Sequence, residues 1–117
     1  MNNDELNSAI AAHARWKGRL LTAIEQGKCD VSVADASRDD HCQFGKWLKE
    51  TTGLTREQHY GKVKELHHKF HAEAGNVLSL ALAGKKDAAK SSMNVGSPFL
   101  NVSSALTYEI VAWRDAK

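Results

Sequence analysis

His13, Cys42, His67 and His71 are the residues of this chain whose types suit joint chemistry. Three imidazoles and one thiolate are enough to close a tetrahedral Zn²⁺ site. His67 and His71 are four residues apart, which puts both rings on one helix face, one turn from each other. Cys42 falls in the first turn of an expected helix, where the local dipole favours thiolate over thiol. No carboxylate pair, glycine-rich phosphate loop or nucleophile elbow competes with this set.

These side chains need helices to bring them together, and the hydrophobic spacing supplies them. A first helix is expected to start near Asn3, with Asp4 and Glu5 in its first turn and the stripe Leu6, Ile10, His13, Trp16, Leu20, Ile24. Gly27 ends it. Residues 27–37 read as a long loop, and a short helix over 38–50 carries Cys42, Phe44 and Trp47. Thr55 and Gln58 form a capping-box signature for a long helix over 56–83. Its inner face is Tyr60, Val63, His67, Phe70, His71, Ala74, Val77, Leu78 and Ala81. Gly84 closes that run, and Lys85 to Met93 make a shorter helix. Ser97-Pro98, a cap followed by proline at the first helical position, opens the last helix, with the stripe Phe99, Val102, Leu106, Ile110, Trp113. No strand alternation of useful length appears. The fold expected is all-α: an antiparallel four-helix bundle with an additional short helix, one domain over residues 1–117.

Composition narrows the function classes. The chain has 117 residues, enough for a core without disulfide staples, and a net charge of +2 with both signs mixed. Neither a basic face for nucleic acid nor an apolar run of roughly 18 residues for a membrane span is present. No signal peptide opens the chain, so a cytoplasmic protein without membrane insertion is expected. In a reducing cytosol the two cysteines are expected to be reduced or metal-bound rather than joined.

The remaining histidines fit a shared ion poorly. His41 and His68 each adjoin a candidate ligand in sequence, and successive helical side chains diverge by about 100°. His59 lies two turns before His67, and all three read as surface groups. Cys29 reads as an exposed loop thiol, with a resolving thiol for an oxidised Cys42 as the lesser alternative, and Lys85, Lys86 and Lys90 as a solvated helix end. Trp16, one turn after His13, is placed to shield the site from water. Glu65 and Glu73 are candidate acceptors for the outer ring nitrogens, which metal-bound histidines normally donate. Three buried imidazoles without partners would each leave a ring nitrogen unsatisfied, at typically ~1–3 kcal/mol per group, and a common ion removes that cost.

Three blocks carry a resemblance to a known family: His13-Ala14-Arg15-Trp16-Lys17, Cys42-Gln43-Phe44-Gly45-Lys46-Trp47 and His67-His68-Lys69-Phe70-His71. In these blocks and their separations the chain resembles the chemoreceptor zinc-binding (CZB) domain. The resemblance implies a helical bundle, a three-His, one-Cys zinc site on His13, Cys42, His67 and His71, and a homodimer. It further implies a regulator of bacterial chemoreceptors or of enzymes that make cyclic-di-GMP, sensing zinc or, through Cys42, an oxidant such as hypochlorous acid. A diguanylate cyclase or a chemoreceptor is then the expected signalling partner.

Two rivals remain. A purely structural zinc in a dimeric interaction module would use the same residues. A metalloenzyme would need an open coordination position or a His-Glu-x-x-His relation, and four protein ligands leave neither. A di-iron centre would need further His-x-x-x-Glu or His-x-x-x-His pairs, but Lys17 follows His13 and Gly45 follows His41 at that spacing. No enzymatic activity is expected.

Overall fold

A computed structural model describes residues 3–29, 31–38, 43–50 and 58–115. Six helices occupy them: α1 (Asn3–Gln26), α2 (Val33–Ala36), α3 (Gln43–Glu50), α4 (Tyr60–Leu82), α5 (Lys86–Ser91) and α6 (Pro98–Asp115). The all-α expectation holds, with no strand among the described residues. The three long helices α1, α4 and α6 each pack against the other two, and the short helices α2, α3 and α5 lie against α4. Among the described residues no helix is long and apolar enough to cross a membrane.

The apolar stripes read from the sequence are the buried faces. Leu6, Leu20 and Ile24 of α1, Val63, Phe70, Ala74, Val77, Leu78 and Ala81 of α4, and Phe99, Leu106, Ile110 and Trp113 of α6 form one core. Ile10, Trp16, Tyr60 and Val102 pack at its margin, half-buried. Leu66, outside the expected stripe, joins the core as well.

Helix ends follow local chemistry. Gly84 takes the left-handed φ of 79° that a side chain resists, and two bonds close α4 around it: Lys85 N–H to Leu80 O at 3.0 Å and Gly84 N–H to Ala81 O at 3.1 Å. At α6 the Ser97 hydroxyl accepts the Leu100 N–H at 3.2 Å, the cap expected of Ser97-Pro98.

Three expected boundaries are corrected. The 27–37 stretch is not wholly a loop, because Ser32 and Ser37 bracket a helical turn in it. Ser32 Oγ accepts the Asp35 N–H at 3.1 Å and Ser37 Oγ donates to Val33 O at 2.8 Å. Arg38 lies outside any helix, so the next helix does not begin there; Gln43 is the first described residue of α3. α4 begins at Tyr60 rather than 56, with Gln58 and His59 in a turn and no side-chain cap at His59. Thr55, the other half of the expected capping box, lies outside the described residues.

Candidate metal centre

α1 delivers His13 and α4 delivers His67 and His71 to one place in the core. All three side chains are buried, and their ligand-type atoms lie within 4.8 Å of one another. The reason is local: each occupies a core-facing position of its helix, and α1 packs directly on α4. Cys42, the fourth expected ligand, and His41 lie outside the described residues. Phe44, two residues after Cys42, does reach the cluster. Its ring stands edge-on to His13 and His67, with centroids 5.8 and 5.2 Å away.

Hydrogen bonds fix which nitrogen each ring presents. His13 Nδ1 lies 2.7 Å from Ala9 O, and His71 Nδ1 lies 3.0 Å from Ala36 O. A carbonyl oxygen only accepts, so both Nδ1 atoms carry the proton and both Nε2 atoms keep the lone pair. His71 Nε2 lies 3.1 Å from His67 Nε2. Two nitrogens on one tetrahedral zinc, each at about 2.0–2.1 Å, stand roughly 3.3–3.4 Å apart. The pair is thus already near the separation that a common ion imposes. Backbone-anchored Nδ1–H groups with inward Nε2 lone pairs are the arrangement of metal-binding histidines, and the donor set fits zinc.

The expected acceptors of these rings are corrected. The acceptors are backbone carbonyls, one turn back on α1 and across on α2, not Glu65 or Glu73. Glu65 accepts from Lys69 at 3.0 Å on the exposed face, and Glu73 from Asn76 at 3.5 Å. Among the described residues no buried side-chain nitrogen or oxygen lacks a partner. His67 Nε2 and His71 Nε2 lie within hydrogen-bonding distance, so one ring can donate to the lone pair of the other.

Burial keeps the His13 and His67 rings neutral. It pushes His13 from the ordinary 6.5 down to about 4; the Ala9 bond opposes that shift and nearby His71 reinforces it. It pushes His67 to about 2, with His71, His13 and His68 each adding repulsion. Neutral imidazole is the form that binds a metal ion.

Aromatic side chains wall the cluster. Phe70 stands edge-on to His13 at 4.9 Å and to His71 at 5.4 Å. Trp16 meets His71 edge-on at 6.1 Å, as expected of a shield, and Arg19 lies over the Trp16 ring at 4.7 Å. Phe44 and Trp47 stack on each other, which suits the packing role read for them.

The other singled-out residues divide. His68 is exposed, as expected. His59 is corrected from surface group to half-buried partner of Glu109, at 3.2 Å across to α6. Cys29 is corrected from exposed to half-buried, packed against the core. Lys90 reaches Glu25 of α1 at 3.6 Å on an exposed face. The sequence reading missed Ala36 and Gly75. Ala36 contributes only a carbonyl, which no residue type signals. The Ser32-Val33-Ala34-Asp35 capping pattern could have revealed its helical turn. A glycine in the middle of α4, one turn after His71, could have drawn notice by its poor helix propensity.

The family model of the chemoreceptor zinc-binding domain matches residues 13–78, just over half of the chain and the span from His13 to past His71. No curated protein and no solved structure matches it.

Proposed function

The chain belongs to the chemoreceptor zinc-binding domain family, and from that premise we propose that it is a regulatory zinc sensor domain of bacterial signalling. The ligands in this reading are His13, Cys42, His67 and His71, with residues 1–117 acting as one domain in the cytoplasm. The observation that supports it best is the buried trio of histidines, with Nε2 of His13 and His71 turned inward and backbone carbonyls behind them. Cys42 completes the shell on the chemistry of the set, as the soft anionic ligand that three neutral imidazoles lack. Two residues after it, Phe44 already touches the cluster.

Zinc would tie α1 and α4 to the segment that leads into α3. The antiparallel four-helix arrangement, with α3 as its short member beside α1, α4 and α6, belongs to the same reading. Occupancy then alters how the α3 segment sits, and a homodimer contact or a chemoreceptor or diguanylate cyclase partner reads the difference. The Cys42 thiolate is also the oxidisable ligand. Hypochlorous acid converts a thiolate to a sulfenic acid and chloride, which weakens that zinc bond and frees the segment. The reading is regulatory rather than enzymatic, since four protein ligands leave no coordination position open for a substrate.

Elemental analysis of the purified protein tests it. About one zinc per chain is expected for the wild type and a clear deficit for Cys42→Ser; less than about half an equivalent in the wild type would sink the reading. A Cys42→Ser variant that kept its response to oxidant would rule out the redox version. Chelation is expected to leave most far-UV helical signal in place, because the apolar core shared by α1, α4 and α6 extends well beyond the histidines. Complete loss of that signal would favour a purely structural zinc.

A further inference from the structure

Gly75 lies in the middle of α4, one turn after His71, where glycine costs roughly 1 kcal/mol of helix propensity against alanine. The cause of its presence is visible across the interface. α2 lies against α4 at this point, and a Cβ placed on Gly75 would run into Ser37 Oγ and stand 3.0 Å from Ser37 Cβ and 3.3 Å from Ser37 Cα. Swinging Ser37 aside would break the bond from its hydroxyl to Val33 O at 2.8 Å, and its backbone N–H is held to the same carbonyl at 3.0 Å. The neighbouring Ala36 is fully buried, and its carbonyl accepts the His71 Nδ1–H at 3.0 Å.

We infer that Gly75 is a positioning residue of the metal centre: its missing side chain lets α2 seat on α4, which brings the Ala36 carbonyl to His71 Nδ1 and aims His71 Nε2 at the ion. The inference deepens the zinc reading above and rests on it. A side chain at position 75 would lift the Ser37 end of α2. It would therefore lengthen or break the carbonyl bond while leaving all four proposed ligands in the chain. His71 would lose the contact that fixes its tautomer, and both ring nitrogens would compete to carry the proton. α2 thus braces the metal centre without contributing a ligand.

The test measures zinc affinity by competition with a chromogenic chelator in the wild type, Gly75→Ala, and Gly75→Ala combined with Ser37→Gly. Loss of an outer partner of a metal-bound histidine typically weakens metal binding by about 10–100-fold, and that loss is expected for Gly75→Ala. The second substitution removes the Oγ and Cβ that the new methyl meets, so it should recover a substantial part of the affinity. Cobalt-substituted protein adds a spectroscopic readout. The visible bands of tetrahedral Co²⁺ should shift in Gly75→Ala and return toward the wild-type pattern in the double variant. Gly75→Ala with wild-type affinity, or a weakened variant that Ser37→Gly does not rescue, overturns the inference.

A second measurement needs no variant, in case Gly75→Ala fails to fold. A long-range ¹H–¹⁵N spectrum of the wild type, metal-free and zinc-loaded, should show His71 with its proton on Nδ1 in both states. Zinc on Nδ1, or a proton on Nε2 in the metal-free chain, overturns the inference while leaving zinc binding itself intact. A wild-type chain that takes up no zinc fails earlier and sinks the parent reading.

Discussion

Acidifying the metal-free protein from pH 7 to pH 5 should destabilise it by an amount that the buried rings set. The folded chain holds His13 near pKa 4 and His67 near 2, against 6.5 for an unstrained imidazole. Above pH 6.5 both states carry neutral rings, and the two residues contribute nothing to the pH dependence. Below it the unfolded chain takes up protons that the folded chain refuses, so stability falls as pH drops, with a slope of about 1.4 kcal/mol per pH unit for each ring. At pH 5 that amounts to about 2 kcal/mol per ring, or about 4 kcal/mol for the pair. For a domain of this size the melting temperature should fall on the order of 10–20 °C. Glu65 lies on the exposed face, and Lys69 holds it below its ordinary 4.5, so it titrates below this window. The assay is thermal unfolding by far-UV circular dichroism in excess chelator at pH 7, 6 and 5. His67→Gln should remove close to half of the loss. A melting temperature that stays within a few degrees across the three pH values refutes the argument that these rings are buried in neutral form.

Two further outcomes test the packing that holds the rings. Phe70 is fully buried against His13, His71 and Phe99; Phe70→Ala should cost roughly 3–5 kcal/mol in a urea titration of the metal-free chain, and a cost under about 1 would mean that this wall is not a packed core. Ser97→Ala removes the acceptor of the Leu100 N–H at the start of α6 and should cost about 1 kcal/mol, while Ser97→Gly should cost only a few tenths; equal stability of all three chains would deny the cap a role.

The parts of the site legible in the sequence are those encoded by residue type and helical period. His13 shares the stripe of Leu6, Leu20 and Ile24, and all four are buried on α1. The spacing of His67 and His71 fixes a common face whatever surrounds it, and the structure brings their Nε2 atoms to 3.1 Å. Gly27 and Gly84 marked helix ends because both adopt a positive φ that other residues resist. The errors fall where a contact is made by backbone or by a distant segment. Glu65 and Glu73 were reasonable acceptors by type, but Lys69 and Asn76 engage them on the outer face. His59 read as a surface group because its partner, Glu109, is fifty residues away on another helix.

The acceptor that orients His71 is a main-chain oxygen in a stretch that reads as loop, and every residue has such an oxygen. Its sequence trace is therefore indirect: two serines that bracket a helical turn, a small residue at 36 and a glycine at 75 where the helix would otherwise prefer alanine. Each is unremarkable alone, and only their juxtaposition in space gives them a common cause. The ligands of a metal centre can thus be read from chemistry and period. The elements that aim them are specified by close approach, which a single sequence records only as the absence of a side chain.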